Sequence, residues 1–168
     1  MTDQSGLPSI VHDHNQERKR FMATESGIAL TGEIAERINS ALENRKPLTV
    51  SYVGLDNRPH MSLRGSVHVY AVDQLAIWVR HSQGGIVDAI GSNPAIGLLY
   101  RDADSRTTYV VSGRARVAGD ESIRRAVFDA SPKVEQDHDP ERLGVAVLID
   151  VDEVKGGTVG GAQVSMTR

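Results

Sequence analysis

Residues 74–117 read QLAIWVRHSQGGIVDAIGSNPAIGLLYRDADSRTTYVVSGRARV, and this stretch decides the fold predicted for the chain. Its first apolar run, 75–79, predicts a short buried strand. Gly84-Gly85 marks a turn into a helix over about 86–91, and Asn93-Pro94 ends that helix. Two β-rich runs follow, with a polar loop between them. The stretch therefore predicts strand, glycine-rich turn, helix, strand, hairpin and strand.

The rest of the chain extends this pattern to six strands and three helices. The connections between the early strands are too short for the crossovers of a parallel sheet. Closing the sheet into a small antiparallel barrel would remove its exposed edges. The predicted strands are 48–53, 60–70, 75–79, 95–100, 107–117 and 143–151, and the predicted helices follow Thr31 or start near Ile86 and Glu121.

The run from His60 to Tyr70 alternates between two kinds of side chain, as a strand with two different faces does. We expect one face to belong to the core and the other to meet water or a ligand. The apolar or small face is Met61, Leu63, Gly65, Val67 and Val69, and the polar face is His60, Ser62, Arg64, Ser66, His68 and Tyr70.

Size and composition favour one cytoplasmic domain. The 168 residues carry a net charge of −3 and no cysteine, which excludes disulfides and thiolate chemistry and argues against non-specific nucleic-acid binding. No apolar run reaches the ~20 residues of a membrane span, and no signal peptide is recognisable. We expect an N-terminal arm over 1–30, a barrel domain over 31–155 and a C-terminal tail over 156–168.

The histidines predict no metal site. His60 and His68 share a strand face, but eight residues separate them, or roughly 26 Å along a strand. His12 and His14 lie in a polar segment, and His138 lies between two aspartates in a charged loop. His81 is the exception, since it follows the 75–79 strand at the glycine-rich turn, where an imidazole could meet a phosphate or a substrate.

The order of elements resembles the pyridoxamine 5′-phosphate oxidase-like, FMN-binding split barrels, over roughly residues 31–155. The succession "strand, polar turn, AI-G-S-NP, apolar strand, RTTYVVSGRAR" carries the resemblance. It implies a six-stranded antiparallel split β-barrel with peripheral helices, forming a homodimer with FMN at the interface. The implied cofactor contacts are Met61, Ser62, Leu63 and Arg64, then Val79, Arg80, His81, Ser82 and Gly85, and finally Thr108 against the flavin ring.

Arg64 and Arg80 suit a phosphate because the guanidinium offers a planar fork of N–H donors. The alternative is that both are ordinary charges at the barrel rim, paired with Asp88 or Asp102. The family usually places a basic pair at the start of the short helix, whereas this chain has Gly84, Gly85 and Ile86. Backbone N–H groups there could partly replace the missing charges.

The C-terminus also departs from true pyridoxamine-phosphate oxidases. Those enzymes carry an Arg, His and Trp segment there, whereas this chain ends KGGTVGGAQVSMTR and has a single Trp. Vitamin B6 oxidation is therefore not expected. The resemblance implies an FMN-dependent oxidoreductase acting on a small organic substrate, with no catalytic residue assigned. Two alternatives remain open: a non-catalytic module that binds a flavin or deazaflavin, and a cofactor-free stress or interaction protein.

Overall fold

The computed structural model describes residues 22–168, with side chains from residue 27 onward. Residues 1–21, most of the expected N-terminal arm, lie outside the described part. The described part contains nine strands and four helices. The strands are β1 (Met22–Ser26), β2 (Leu48–Val53), β3 (Pro59–Arg64), β4 (His68–Ala71), β5 (Gln74–Val79), β6 (Ala95–Asp102), β7 (Thr107–Val117), β8 (Val145–Thr158) and β9 (Gln163–Thr167). The helices are α1 (Gly32–Asn39), α2 (Gly85–Ser92), α3 (Glu121–Ala130) and α4 (Lys133–Asp137).

All nine strands belong to one sheet, which is antiparallel except for one pair. The main path runs β1-β9-β8-β7-β6-β2-β3, and the first pair along it, β1 with β9, is parallel. The long strand β8 also pairs with β5 through its first half, and β5 pairs with β4. Among the residues described, no pairing joins β3 to β4 or β5, so the sheet is not closed by hydrogen bonds.

The prediction of six strands was wrong in number, although the mainly antiparallel β class is confirmed. The run 60–70 breaks at Gly65 into β3 and β4, and a Cβ at Gly65 would lie 2.8 Å from Leu42. β8 continues to Thr158, and β9 pairs antiparallel with its second half. The segment treated as a C-terminal tail over 156–168 therefore contains strand residues, and β1 adds a further strand before α1.

The main core lies on the inner side of the sheet and is closed by α1 and α2. Ile38 of α1, Ile86 of α2 and Ile77 of β5 all belong to it and are nearly inaccessible to solvent. All five residues of the apolar run 75–79 on β5 are buried. Its alternate side chains therefore reach two separate cores, as expected for a strand covered on both faces.

A second, smaller core fills the other side of β5 and β8. Trp78 packs edge-on against Phe128 of α3, with ring centroids 4.9 Å apart. Asp139 accepts a hydrogen bond from the Trp78 indole Nε1 at 2.9 Å and another from the Gly144 backbone N at 2.9 Å. The helices α3 and α4 and the loop after them are thereby fixed over this face.

Candidate functional site

The candidate site lies where β5 ends and α2 begins. Val79 is the last, buried residue of β5, and Arg80, His81 and Ser82 follow it as exposed residues of the turn. Gly84 precedes α2 with φ 76° and ψ 176°, a backbone conformation essentially confined to glycine. This glycine lets the chain reverse sharply and start a helix that packs against β2 and β7.

A pocket of about 210 Å³ opens at this junction and brings together five of the ten predicted contacts. Arg64 comes from β3, and the others come from the end of β5 and the turn. Ser82 lies in the same turn but does not line the pocket. The lining residues are Tyr52, Arg64, Val79, Arg80, His81, Gln83, Gly84, Gly85 and Ile86.

The two arginines of this pocket have no acidic partner in the part of the chain that the structure describes. Among the residues that the structure describes, neither Arg64 nor Arg80 is within ion-pair distance of a carboxylate. The Arg64 Nε donates a hydrogen bond to the Ser62 hydroxyl at 3.1 Å. The alternative of a rim charge paired with Asp88 or Asp102 is therefore not what the structure shows.

Asp102 forms its ion pairs and hydrogen bonds with other residues, outside the pocket. The Lys46 ammonium lies 2.7 Å from its carboxylate, the Arg37 guanidinium 3.2 Å away, and the Ser105 hydroxyl donates to it at 2.7 Å. The hydrogen bonds from Lys46 and Ser105 hold the pKa of Asp102 below its usual range. This cluster ties the β6–β7 hairpin to α1 and keeps Asp102 away from the two arginines.

The first turn of α2 offers only some of its backbone N–H groups to an anion. Gly84 already donates its N–H to the Asp88 carboxylate at 3.1 Å, and Val87 donates to the Gly84 carbonyl at 3.1 Å. The N–H groups of Gly85 and Ile86 have no acceptor within the helix, as is normal for its first residues. Asp88 also adds a negative charge to this turn, which weakens the attraction for an anion.

The two faces of β3 are the reverse of what the alternating pattern suggested at Met61 and Leu63. The polar Ser62 and Arg64 are half-buried, and they pair across the strands with the core residues Val50 and Leu48. Met61 and Leu63 point outward, and 74% and 67% of their surfaces are exposed. They lie near the pocket in sequence but on the opposite side of the strand.

Met61 and Leu63 form part of a larger outer apolar face of the sheet, together with Leu99 and Val110. The strand register places Leu63, Thr49, Leu99 and Val110 in one row across four strands. Across the same four strands, the next row holds Met61, Ser51, Gly97 and Ser112. A groove of about 380 Å³ is lined by the small residues of this row. We call the exposed set Met61, Leu63, Leu99 and Val110 the outer face.

Thr108 is not brought to the pocket within one chain. It lies on β7, on the same side as Val110, and its hydroxyl accepts a hydrogen bond from Arg101 at 3.1 Å. Three strand spacings of ~4.8 Å, roughly 14 Å, separate β7 from β3. Thr108 also faces the opposite side of the sheet from Arg64. Only a second copy of the chain could place a Thr108 near this pocket.

Tyr52 is the residue of the site that the sequence did not reveal. It lines the arginine pocket and also a neighbouring pocket of about 250 Å³ that contains Asp56, His60 and Asp88. Its ring stacks on that of His60, with centroids 5.4 Å apart and planes 12° apart. In the sequence Tyr52 is one aromatic residue in an apolar strand, and only the β2–β3 register, which pairs Tyr52 with His60, reveals this position.

Two further observations bound the chemistry of the described residues. No group of three or more His, Cys, Asp or Glu side chains is arranged to hold a metal ion. No helix among them has both the length and the apolar character needed to cross a membrane.

Sequence comparison leaves the chain without a matching family model, and no curated protein matches it by sequence. Solved structures do match its fold. A Clostridium acetobutylicum protein related to general stress protein 26, of the pyridoxinephosphate oxidase family, superposes with a TM-score of 0.60 at 12% identity, covering 80% of this chain and 94% of its own. A pyridoxamine 5′-phosphate oxidase-related, FMN-binding protein of Nostoc punctiforme gives 0.58 at 14% identity, covering 76% and 81%. HupZ of Group A Streptococcus gives 0.58 at 16% identity, covering 76% and 96%.

The chain shares the fold of the pyridoxamine 5′-phosphate oxidase-like proteins. This confirms the resemblance at the level of fold. At 12–16% identity the comparisons do not extend to the cofactor or the activity.

Proposed function

We propose that this chain is a flavoprotein that binds FMN by its phosphate at the start of α2 and catalyses a redox reaction on a small organic substrate. The pocket at the end of β5 carries the proposal. Arg64 and Arg80 meet there without a described carboxylate partner, beside the free N–H groups of Gly85 and Ile86. Charge-assisted donors of this kind suit a phosphate. The FMN-binding Nostoc protein of the same fold supports the flavin.

The residues of the pocket would hold and orient the cofactor. FMN, when bound, would supply the electron-transfer chemistry, while the chain contributes position, electrostatics and exclusion of water. Arg80 stands in the turn and Arg64 at the end of β3, so the two guanidinium groups approach the pocket from different elements. His81 adds a third donor beside them.

The outer face supports assembly as a homodimer. Met61 and Leu63 are largely exposed, and beyond Thr49 the same side of the sheet carries two further exposed apolar residues, Leu99 and Val110. A contiguous exposed apolar patch on a sheet marks an interaction surface. A two-fold contact between such faces is self-complementary, and it would bring the partner's β7 toward the edge strand that carries Arg64.

A second candidate is a cofactor-free interaction protein, and a specific observation favours it. The first turn of α2 carries Asp88 and has no basic residue, which reduces its affinity for a phosphate. The Clostridium protein of the same fold is related to a general stress protein. A flavin- or deazaflavin-binding module without catalysis is intermediate between the two candidates.

A titration with FMN and riboflavin separates these functions. The freshly purified protein should show a flavin absorption band or gain one with FMN. Arg80→Ala should weaken FMN binding by about 1.5–3 kcal/mol, the value of a hydrogen bond to a charged group, and more than Arg64→Ala does. Riboflavin, which lacks the phosphate, should be unaffected by either change.

Arg116→Ala serves as the matched control, because it removes an exposed arginine of β7 that does not line the pocket. Equal losses for FMN and riboflavin in Arg80→Ala would remove the phosphate assignment. A colourless protein whose melting temperature is unchanged by FMN would favour the cofactor-free function.

A further inference from the structure

Tyr52 occupies the point where three cavities of the described surface meet. The arginine pocket lies on one side of its side chain, the pocket of Asp56 and His60 lies on another, and the groove behind the outer face adjoins its strand. Gly85, the first residue of α2, borders the same two pockets. Tyr52 therefore stands between the pocket of Arg64 and Arg80 and the pocket of Asp56 and His60.

The ring of Tyr52 is held by its neighbours. His60 lies directly opposite it on β3 and stacks on it almost in parallel, with 12° between the planes. The His60 Nε2 lies 3.1 Å from the Asp56 carboxylate, which also accepts the Arg58 backbone N–H at 3.1 Å. The β2–β3 turn thus fixes the imidazole, and the imidazole fixes the tyrosine.

The hydroxyl at the end of this fixed ring is directed at α2. A Cβ placed on Gly85 would lie 3.8 Å from the Tyr52 hydroxyl, and no other heavy atom would be that close. Among the described residues no side-chain or backbone hydrogen bond satisfies this hydroxyl. Tyr52 is half-buried and lines the open pocket, so its hydroxyl can donate a hydrogen bond to a ligand there, beside the N–H groups of Gly85 and Ile86.

We propose that Tyr52 is a further ligand-binding residue whose hydroxyl donates a hydrogen bond to the phosphate held by Arg64, Arg80 and the first turn of α2. This rests on the proposed function. Tyr52 thereby supplies, from β2, part of the donor set that a basic residue at the helix start would otherwise provide. Its contribution is to discriminate phosphorylated from unphosphorylated ligand.

Tyr52→Phe tests this because it removes only the hydroxyl and keeps the ring that stacks on His60. FMN affinity should fall about tenfold, the lower end for a hydrogen bond to a charged group, while riboflavin affinity stays within about twofold. Tyr70→Phe is the control, since Tyr70 is also half-buried but packs against the second core. It should change neither affinity.

His60→Leu provides a second, independent variant. It removes the stacking partner of Tyr52 but leaves the hydroxyl, so FMN affinity should fall in the same direction by less than in Tyr52→Phe. Inorganic phosphate is a probe without the flavin ring. It should displace bound FMN at a lower concentration than it displaces bound riboflavin, because only FMN occupies the phosphate site.

The outcomes separate the two proposals. If Arg80→Ala loses the preference for FMN over riboflavin and Tyr52→Phe keeps it, the proposed function stands and the role of Tyr52 is overturned. If Tyr52→Phe weakens both ligands equally, the residue supports the ring and not the phosphate, and the inference is again overturned. If the wild type binds neither ligand, both proposals fail together.

Discussion

The sheet has two apolar surfaces beyond its main core, and the chain covers one of them and leaves the other open. Over β5 and β8, Trp78 and Leu148 lie beneath Phe128 of α3 and are almost inaccessible to solvent. Over β3 and β6, Met61, Leu63 and Leu99 lie on the outer face and remain exposed. Both surfaces consist of residues alternating along their strands, so alternation alone does not distinguish them.

The difference lies in the polar groups that surround each surface. On the covered side, Asp139 accepts hydrogen bonds from Trp78 and from two backbone N–H groups, and Arg124 lies 5.4 Å above the Trp78 ring. These contacts fix the loop that carries α4. On the outer face the central row positions are Thr49, Ser51 and Gly97, which are small and leave the surface shallow. The first surface is completed within the chain, whereas the second stays exposed and is the interface of the proposed homodimer.

The largest expected effect is on the free energy of unfolding, and it comes from a residue of the covered second core. Phe128→Ala removes a buried ring from the second core and should lower the free energy of unfolding by about 3–5 kcal/mol. Leu63→Ala, on the outer face, should lower the unfolding free energy of the monomer by less than about 1 kcal/mol, since the side chain is mostly exposed in one chain. Denaturant unfolding at low protein concentration measures both.

Equal destabilisation of the two variants at low protein concentration would contradict the distinction between a covered and an exposed surface. Such a result would mean that the Leu63 side chain contributes to the stability of a single chain as much as the core residue Phe128 does. A loss for Leu63→Ala that appears only at high protein concentration would instead indicate that a second copy covers the residue.

The next effect concerns assembly. Leu63→Asp places a charge in the proposed interface and should weaken dimerisation by at least tenfold, because burying an unpaired charge is costly. Light scattering should give about twice the 18.2 kDa chain mass for the wild type and about one chain mass for the variant. Leu143→Asp is the control, since Leu143 is equally exposed but lies outside the outer face.

If flavin is bound at the interface, the same variant should also lose FMN. A wild-type monomer that binds FMN tightly would contradict the interfacial site, because Thr108 and the Arg64 pocket lie on different strands and opposite faces of one chain. It would leave the phosphate pocket itself intact.

A smaller effect comes from a titratable group on the covered side. His68 pairs across the strand with Ala76 of the second core and is only 7% exposed, and no described residue hydrogen-bonds to its Nε2. Burial lowers the pKa of His68 below its ordinary 6.5. The unfolded chain therefore takes up the proton first as the pH falls, so this contribution to stability is present above pH 6.5 and is lost below it.

His68→Leu should flatten the decline in stability between neutral pH and about pH 5, because no buried imidazole then has to remain neutral. His138→Gln, which changes an exposed histidine, should retain the decline. Unfolding midpoints measured across this pH range make the comparison. An unchanged decline in His68→Leu would assign the pH dependence to other groups.

Several elements of the fold could be predicted from the local sequence pattern alone. The strand 107–117 has the bounds that the sequence predicted, since a β-branched run defines it locally. The third helix starts at Glu121 as predicted, and the side chain of Asp120 caps it. The direction of the β3 faces could not be predicted, because Ser62 and Arg64 turn inward only where a polar pocket replaces core. β9 was missed because its pairing depends on the far half of β8.

The candidate site likewise contains residues that the local sequence could predict and a residue that depends on contacts between distant elements. The end of β5 and its turn are continuous in sequence, so five residues could be predicted together: Val79, Arg80, His81, Ser82 and Gly85. All of them except Ser82 line one pocket with Arg64. Tyr52 could not be nominated, because its place beside Gly85 depends on two strands and a helix meeting. Whether these residues bind FMN stays a prediction.

The smallest expected effect concerns the missing basic residue at the start of α2. Gly85 is the position suggested by the family, but its φ of +51° strains any other side chain, so Gly85→Arg would mix strain with charge. Gln83 is exposed and lines the same pocket without that constraint. Gln83→Arg should tighten FMN binding by about 0.5–1 kcal/mol, the range of a partly exposed ion pair, and the gain should shrink as salt is added.

Riboflavin should gain almost nothing from Gln83→Arg, and Gln83→Glu should weaken FMN by a similar amount. The opposite signs matter, because a general effect on folding or on the loop would move both variants in the same direction. If the two variants leave FMN affinity unchanged while remaining folded, the turn does not face a phosphate. The arginines of the pocket would then need another ligand, and the open surface of the sheet would be the remaining functional feature of this part of the molecule.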